Sequence, residues 1–351
     1  MLSRPGKLRL GLISTARINH WAIFDALRGH CPFVVSAVAS RSLTTAREYA
    51  ALWGVERFYG SYESLLSSPD VDAIYVSLPN SLHALWTHKG VLSGKHVLCE
   101  KPLSADPGWV RRLDVLAKDK GVTVFDGMHY RYHEDVQKTI AKVQSGAIGR
   151  LREMHLCFHG GKLEAVDIRR SKALGGGAIM DVGSYCVDFI HAITDFKLQA
   201  CTVSKVEWGD DREVDVAASV DLRFESGIEE LLKCTFDVSV GAAKFYCSVQ
   251  ILGSSGIAKL EFPFLPVMPG DDPQCLFSAV IDADSTVSST RAHAPSSYSY
   301  QLSALSESIL NQRAGIQSGT AHRNAEVLCS INEQLHQRLG ALDRKQIILD
   351  D

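Results

Sequence analysis

Lys101 stands between an acid and a proline at the end of an apolar run, GKHVLCEKP at residues 94–102. A lysine fixed in that way can polarise a substrate oxygen or lower a neighbour's pKa. His96–Cys99 reads as a short buried strand after a helix-stopping Gly94. Pro102 forbids further ladder pairing and biases Lys101 away from helical angles. The ammonium is therefore expected at the carboxyl end of a strand, the edge where open α/β sheets bind ligands. A solvated strand-end charge is the plain alternative. The second chemical run is GGGAIMDVGSYCVDFIHA at 175–192. Its three glycines let the backbone turn and leave room for a ligand at a helix start. Asp181, Tyr185 and Asp188 then fall at i, i+4 and i+7 on one helical face, with Ile179, Val182, Cys186, Phe189 and Ile190 on the buried flank. A tyrosine one turn from a carboxylate could be a proton donor and its orienter, once a cation such as Lys101 lowers the phenol's pKa from about 10. The alternative is a packed tyrosine whose hydroxyl closes a local network.

Two further segments bear on a cofactor. After the first expected strand the chain reads Gly11-Leu-Ile-Ser14-Thr15-Ala16-Arg17-Ile18-Asn19. Laid on G-x-G-x-x-G, the glycine positions fall on Ser14, Ala16 and Asn19, so the motif is absent as a pattern. Small residues at the first two positions still let a pyrophosphate approach the backbone and a helix N-terminus. Asn19 is a residue that tolerates unusual backbone angles. An ordinary tight turn is an equal reading. The second expected strand ends in Ala39-Ser40-Arg41-Ser42, with no acid before Glu48. NAD-binding folds place an acid there for the ribose hydroxyls. An arginine between two serines instead suits a 2′-phosphate, so a dinucleotide, if one binds, is expected to be NADP(H). A solvated arginine beside a helix N-cap at Ser42 is the other reading.

The elements that must position these residues alternate strand and helix through residue 126. Strands are expected at Leu8–Ile13, Phe33–Ala39, Asp72–Leu78, His96–Cys99 and Val122–Asp126. Helices are expected at His20–Leu27, Leu43–Trp53, about Leu82–Leu92, and from Ser104 to a stop at Gly121. Such alternation predicts a parallel, doubly wound sheet. From Glu134 the texture changes. A helix at Glu134–Gln144 and a strand at Arg150–His159 precede strand candidates at 200–208, 215–225, 229–238, 244–252 and 256–262, which imply an antiparallel or mixed sheet. Residues 270–300 read as a long loop, Tyr300–Gln312 and Ala321–Leu339 as helices, and Gln346–Leu349 as a final strand.

A chain of 351 residues suggests two domains, here 1–126 and 127–351. Hydrophobic content of 46%, charged content of 22% and a net charge of −3 fit a globular protein without the basic footprint of a nucleic-acid or anionic-membrane binder. No apolar stretch is long enough to span a bilayer. The N-terminus enters a strand at once and leaves no room for a signal peptide, so a cytoplasmic location is expected. Nine cysteines are scattered without C-x-x-C spacing, and they read as core hydrophobes in a reducing compartment, with no metal site.

Taken in order, VASRS (38–42), PNSLH (79–83), GKHVLCEKP, HYRYH (129–133) and GGGAIMDVGSYCVD (175–188) resemble the glucose–fructose oxidoreductase / inositol dehydrogenase (Gfo/Idh/MocA) family. The resemblance covers the first 190 residues well and the remainder in outline. It implies a Rossmann domain followed by an α+β domain with a large open-faced, mostly antiparallel sheet that often builds a homodimer or homotetramer. The implied chemistry is hydride transfer between a nicotinamide and a sugar, cyclitol or related diol. Lys101 matches the family's catalytic lysine, Asp181 its second-domain aspartate, and Tyr185 its proton donor. Tyrosine at that position resembles the branch with NADP-dependent D-xylose 1-dehydrogenase, dimeric dihydrodiol dehydrogenase and sugar 3-ketoreductases. The resemblance further implies that Ser14, Thr15, Ala16 and Arg17 hold the phosphates and Ser40 and Arg41 the 2′-phosphate. It places Pro79, Asn80 and His83 beside the nicotinamide ribose, and Glu100, Lys101, Tyr130, Arg131 and Arg169 near the nicotinamide or substrate. The departure is Ser14, where relatives usually retain a glycine. Other members imply two alternatives, a non-catalytic nucleotide-sensing binding protein and a nicotinamide-using glycosidase.

Overall fold

A computed structural model describes residues 7–28, 32–210, 213–225, 231–265, 278–281, 285–288 and 296–349. The first layer is a parallel sheet of β1 (Leu8–Ile13), β2 (Phe33–Ala39), β3 (Arg57–Tyr59), β4 (Ala73–Val76), β5 (His96–Cys99) and β6 (Thr123–Asp126). A late two-residue strand, Gly315–Ile316, joins its edge, giving the spatial order late strand-β6-β5-β4-β1-β2-β3. Residues Ile13, Ala39, Val76, Cys99 and Asp126 lie in mutual register, so the carboxyl ends form one edge. Strand order reverses beside β1, with β2 on one flank and β4 on the other, which is where open α/β sheets open a ligand crevice.

Helices α1 (Leu43–Trp53), α2 (Tyr62–Leu66), α3 (Asn80–Leu92) and α4 (Pro107–Asp119) connect these strands. Ser42 caps α1 by accepting from the Thr45 N–H, and Gly54 ends it at φ +67°, as the sequence leads one to expect. β3 and α2 were not expected, being too short to show a period. The expected helix at 20–27 is a π-helical turn, His20–Asp25, followed by a 3₁₀ turn, Ala26–Arg28. The third expected strand shortens to Ala73–Val76. α4 is capped by Asp106 rather than opened at Ser104, because Pro107 suits the first helical position.

The second layer follows α5 (Glu134–Gln144). Its sheet consists of β7 (Leu151–His159), β8 (Lys197–Trp208), β9 (Asp215–Glu225), β10 (Leu231–Ser239), β11 (Tyr246–Gly253), β12 (Ile257–Glu261), β13 (Ser278–Ile281) and β14 (Ser285–Ser288). The order is β14-β13-β12-β11-β7-β10-β9-β8, antiparallel throughout except for β7 beside β10. Burial alternates along β10, so one face is covered and the other open. The covered face packs on α6 (Ser184–Ile193) through Cys186, Phe189 and Ile190, and on α8 (Ala321–Leu349) through Val327, Leu328 and Ile331.

Two sequence expectations are corrected here. Within 270–300, residues 278–281 and 285–288 are strands that extend the sheet through β12; the rest of that loop expectation, up to 295, lies outside the described residues. Gln346–Leu349 is not a strand but the last turn of α8, in a stretch of good helix formers. The chain also returns to the first layer. α7 (Ser297–Leu310) starts three residues before its expected Tyr300, capped by Ser296, and seats Leu302, Leu305 and Ile309 among Leu10, Leu12, Phe33 and Phe125. The Gly315–Ile316 strand is β15 in chain order. No helix among the described residues is long and apolar enough to cross a membrane.

Candidate active site

Lys101 follows β5 by two residues, at the carboxyl edge, and its Nζ donates to Asp181 Oδ1 at 2.6 Å and to the Asp181 carbonyl at 2.8 Å. The Lys101–Pro102 peptide is cis. His83 holds the turn from beneath. One ring nitrogen lies 2.9 Å from the Pro102 carbonyl and the other 2.7 Å from the Leu78 carbonyl, and the ring is buried. His83 is thus buried between the turns that follow β4 and β5. Burial pushes its imidazole pKa down. Neighbouring Glu100 accepts from the Tyr75 hydroxyl at 2.5 Å, and burial, opposed by the Lys101 charge, raises its pKa.

Asp181 and Tyr185 arrive from the second layer. Gly175 (φ +73°) and Gly177 (φ +108°) take left-handed angles there, and the Asn80 side chain of α3 donates to the Gly175 carbonyl at 2.9 Å. A Cβ on Gly177 would lie 2.3 Å from Asp215 Oδ1, so that position admits only glycine. Asp215, which the sequence analysis missed, accepts the Ile179 N–H at 2.8 Å and holds the start of the helical segment. The first turn, Ile179–Gly183, is π-helical and leads directly into α6. Asp181 is bound on its second oxygen by Arg169 Nε at 2.5 Å, and Arg169 also reaches Asp167. Burial pushes the Asp181 carboxyl up, but the Lys101 and Arg169 cations outweigh it and hold it down at about 2. Asp181 is therefore an anion clamped between two cations.

Tyr185 lies beneath Lys101, whose Nζ is 4.9 Å from the ring centroid. Its hydroxyl is 3.2 Å from His129 Nε2, and His129 Nδ1 is 2.8 Å from Ser297 Oγ on α7. The expectation that Lys101 lowers the phenol's pKa is corrected: burial, with Tyr298, Glu100 and Asp181 nearby, raises it well above the ordinary value. Asp188, expected on the same face, is spent elsewhere. It is fully buried and binds Tyr130, Arg131, Thr320 and Asn324. Arg131 is thereby committed to Asp188 and the Ser318 carbonyl, and the structure does not bring it to Lys101 and Tyr185.

The loop after β1 lies at the same edge. Ser14 takes φ +121°, an angle ordinarily left to glycine. Its Oγ donates to the Ser77 carbonyl at 2.9 Å and accepts from the Ala16 N–H at 3.1 Å. Asn19, which could tolerate an unusual angle, is ordinary right-handed backbone, and its amide donates to the Ser14 carbonyl at 3.0 Å. Thr15 and Ala16 are partly exposed, and Arg17 pairs with Glu164 at 2.6 Å on the surface. One strand across, Ser40 donates its N–H to the Tyr59 carbonyl and Arg41 is exposed beside it. Pro79 precedes the first residue of α3, next to the Ser77 contact of Ser14. Among the described residues no group of three or more side chains could hold a metal ion. The signal for His129 was its place in HYRYH, just beyond the end of β6 at the ligand edge.

Comparison with known proteins gives the family of the chain. Residues 10–128 match the Gfo/Idh/MocA oxidoreductase family with its NAD-binding Rossmann fold, and residues 136–259 match the family's C-terminal domain. The chain is 36% identical over 263 residues to dTDP-3,4-didehydro-2,6-dideoxy-alpha-D-glucose 3-reductase of Saccharopolyspora spinosa, covering 74% of this chain and 76% of that one. It is 32% identical over 233 residues to an NADP(+) D-xylose 1-dehydrogenase of Haloferax volcanii, covering 66% of this chain and 70% of that one. In fold it is similar to KijD10, a 3-ketoreductase from Actinomadura kijaniata solved with NADP and TDP-benzene, with TM-score 0.76, 24% identity, and coverage of 92% and 96% of the two chains. On both domain matches, the chain belongs to the Gfo/Idh/MocA oxidoreductase family.

Proposed function

We propose that this protein is an NADP(H)-dependent oxidoreductase that transfers hydride between the nicotinamide and a CH–OH or carbonyl carbon of a carbohydrate or cyclic diol. The observation that carries this reading is the convergence of Lys101, Asp181 and Tyr185 at the carboxyl edge of the parallel sheet. The edge fits a dinucleotide. Ser14 keeps the left-handed angle of a phosphate loop, and Arg41 is exposed between the hydroxyl residues Ser40 and Ser42, where a 2′-phosphate would be matched in charge and donors. Ser14, Thr15, Ala16 and Arg17 would hold the diphosphate, with Asn80 beside the ribose. Bound there, the nicotinamide supplies or accepts the hydride. Retention of Lys101, Asp181 and Tyr185 together speaks against the non-catalytic nucleotide-sensing binding protein.

An ammonium has three donors, and two of those on Lys101 are spent on Asp181. The third is left for the substrate oxygen. Asp181 holds the ammonium in place, and Arg169 holds Asp181. In the reductive direction Tyr185 gives its proton to the carbonyl oxygen as the carbon receives hydride; in the oxidative direction the tyrosinate takes the hydroxyl proton. The raised phenol pKa keeps Tyr185 protonated and favours the donor role. On this reading residues 1–126 bind the cofactor and residues 127–351 the substrate, with α7 and β15 lent back to the first layer.

A fluorescence titration with NADPH and NADH, followed by a screen of aldoses, cyclic diols and keto-sugars, tests the proposal. NADPH should bind at least about tenfold more tightly, and Tyr185→Phe should lower turnover about 10²- to 10⁴-fold with NADPH affinity retained. Failure of both nucleotides to bind, or full activity of the variant, refutes it. The open face of the second sheet exposes Leu231, Tyr246, Ile257 and Val280, and we place the contact between copies there. The mass in solution should be that of a dimer or tetramer, and a monomer at micromolar concentration would end that part.

A further inference from the structure

His129 is the one group in hydrogen-bond reach of the Tyr185 hydroxyl among the described residues. It is 1% exposed, stacked on Tyr298 at 3.9 Å between centroids, and tied through Nδ1 to Ser297 Oγ at 2.8 Å. Both the ring plane and the direction of its nitrogens are therefore fixed from α7. Burial and the Lys101 charge push its pKa down to about 3, which favours the neutral ring. A neutral imidazole carries one N–H, and Ser297, which can donate or accept, permits it on either nitrogen.

We propose that His129 is a positioning residue that acts through Tyr185: its Nε2–H donates to the phenol oxygen, which leaves the phenol's own proton for the substrate, and the same N–H stays on the tyrosinate once that proton has gone. The inference rests on the oxidoreductase reading above. When Tyr185 has given its proton to a substrate oxygen, a negative oxygen remains in a buried site. Lys101 is matched by Asp181, and the other groups facing the phenol oppose that charge or leave it unaided. Glu100 and Tyr75 face it from the sheet edge, Asp181 from its own helical segment, Tyr130 from the turn after β6 and Tyr298 from α7. Nε2–H is then the donor directed at the oxygen. Ser297 donates to the bare Nδ1 and so holds this tautomer in both states. The proton lost to product returns from water once the product has left, so no charge accumulates over a cycle.

The bond to the anion is charge-assisted and about twice as strong as the bond to the neutral phenol, so His129 lowers the phenol's pKa relative to an apolar ring in its place. A hydrogen bond to a charged group is worth enough for about one pH unit. The test is a fluorinated tyrosine incorporated in place of Tyr185 and titrated by fluorine NMR in the full-length protein, alone and with His129→Phe, which keeps a ring on Tyr298. The expected result is a midpoint about one pH unit higher, or more, in His129→Phe. Superimposable titrations, or a lower midpoint, overturn the inference. Should His129→Phe fail to fold, Ser297→Ala leaves the stacked imidazole and removes only the partner that fixes its tautomer. It should move the midpoint the same way by less, and an unmoved midpoint is equally fatal. The titration reads His129 whether or not a substrate is in hand. The activity of Tyr185→Phe, in contrast, tests the oxidoreductase reading alone, so the two can fail separately.

Discussion

Ser14 holds a backbone angle that glycine ordinarily supplies, and its side chain explains why it can. A non-glycine residue at φ +121° costs about 1–3 kcal/mol. The buried Oγ offsets this by bonding the Ser77 carbonyl and the Ala16 N–H, contacts worth about 1 kcal/mol each net and more if a partner is left unsatisfied. The magnitudes separate two substitutions. Ser14→Ala keeps the strain and loses the bonds, and should destabilise by about 1–3 kcal/mol and loosen NADPH. Ser14→Gly loses the bonds but also the strain, and should stay within about 1 kcal/mol of the parent. Urea unfolding and NADPH titration of the pair decide the matter. Equal behaviour of the two variants would mean that the backbone angle at this position carries no strain. The sequence made the missing glycine visible but not its replacement, because Ser77 lies 63 residues away in the chain.

At the scale of elements, what could be read was whatever repeats locally. The strands of the first layer announce themselves by apolar runs, and α1 by Ser42 and Gly54 at its ends. Lys101, Asp181 and Tyr185 were legible because each lies in a segment whose own pattern fixes its placement. β3, α2 and the two-residue β15 were not, since they are shorter than any period and exist only because a neighbouring strand pairs with or covers them. The same holds for β13 and β14, which lengthen a sheet edge within a polar stretch. His129 to Tyr185 and Asp215 to Ile179 are contacts between distant segments, and no spacing in the chain encodes them. The helix carrying Asp181 adds a further reason. Its opening π turn is wider than the 3.6-residue period assumed for the Asp181–Tyr185–Asp188 face, and Asp188 serves Arg131 rather than the site.

For the whole molecule, the two layers are not separable at residue 126. α7 comes from the C-terminal part of the chain, yet Leu302, Leu305 and Ile309 are buried in the core beneath β1, β2 and β6. Burying three such side chains contributes roughly 5–9 kcal/mol, which is comparable to the entire stability of a domain. A fragment ending at residue 126 should therefore show no cooperative urea transition and no NADPH binding. The same helix begins with Ser297 and Tyr298, which hold His129 against Tyr185. Core and site share one element, so loosening the core should disturb the chemistry at a distance. Leu305→Ala, far along α7 from Ser297, should cost about 2–5 kcal/mol and lower turnover more than that loss of folded protein explains. A Leu305→Ala protein with lowered stability and parental kcat would show that α7 supports the core alone. A cooperatively folding 1–126 fragment would show that it is dispensable even there.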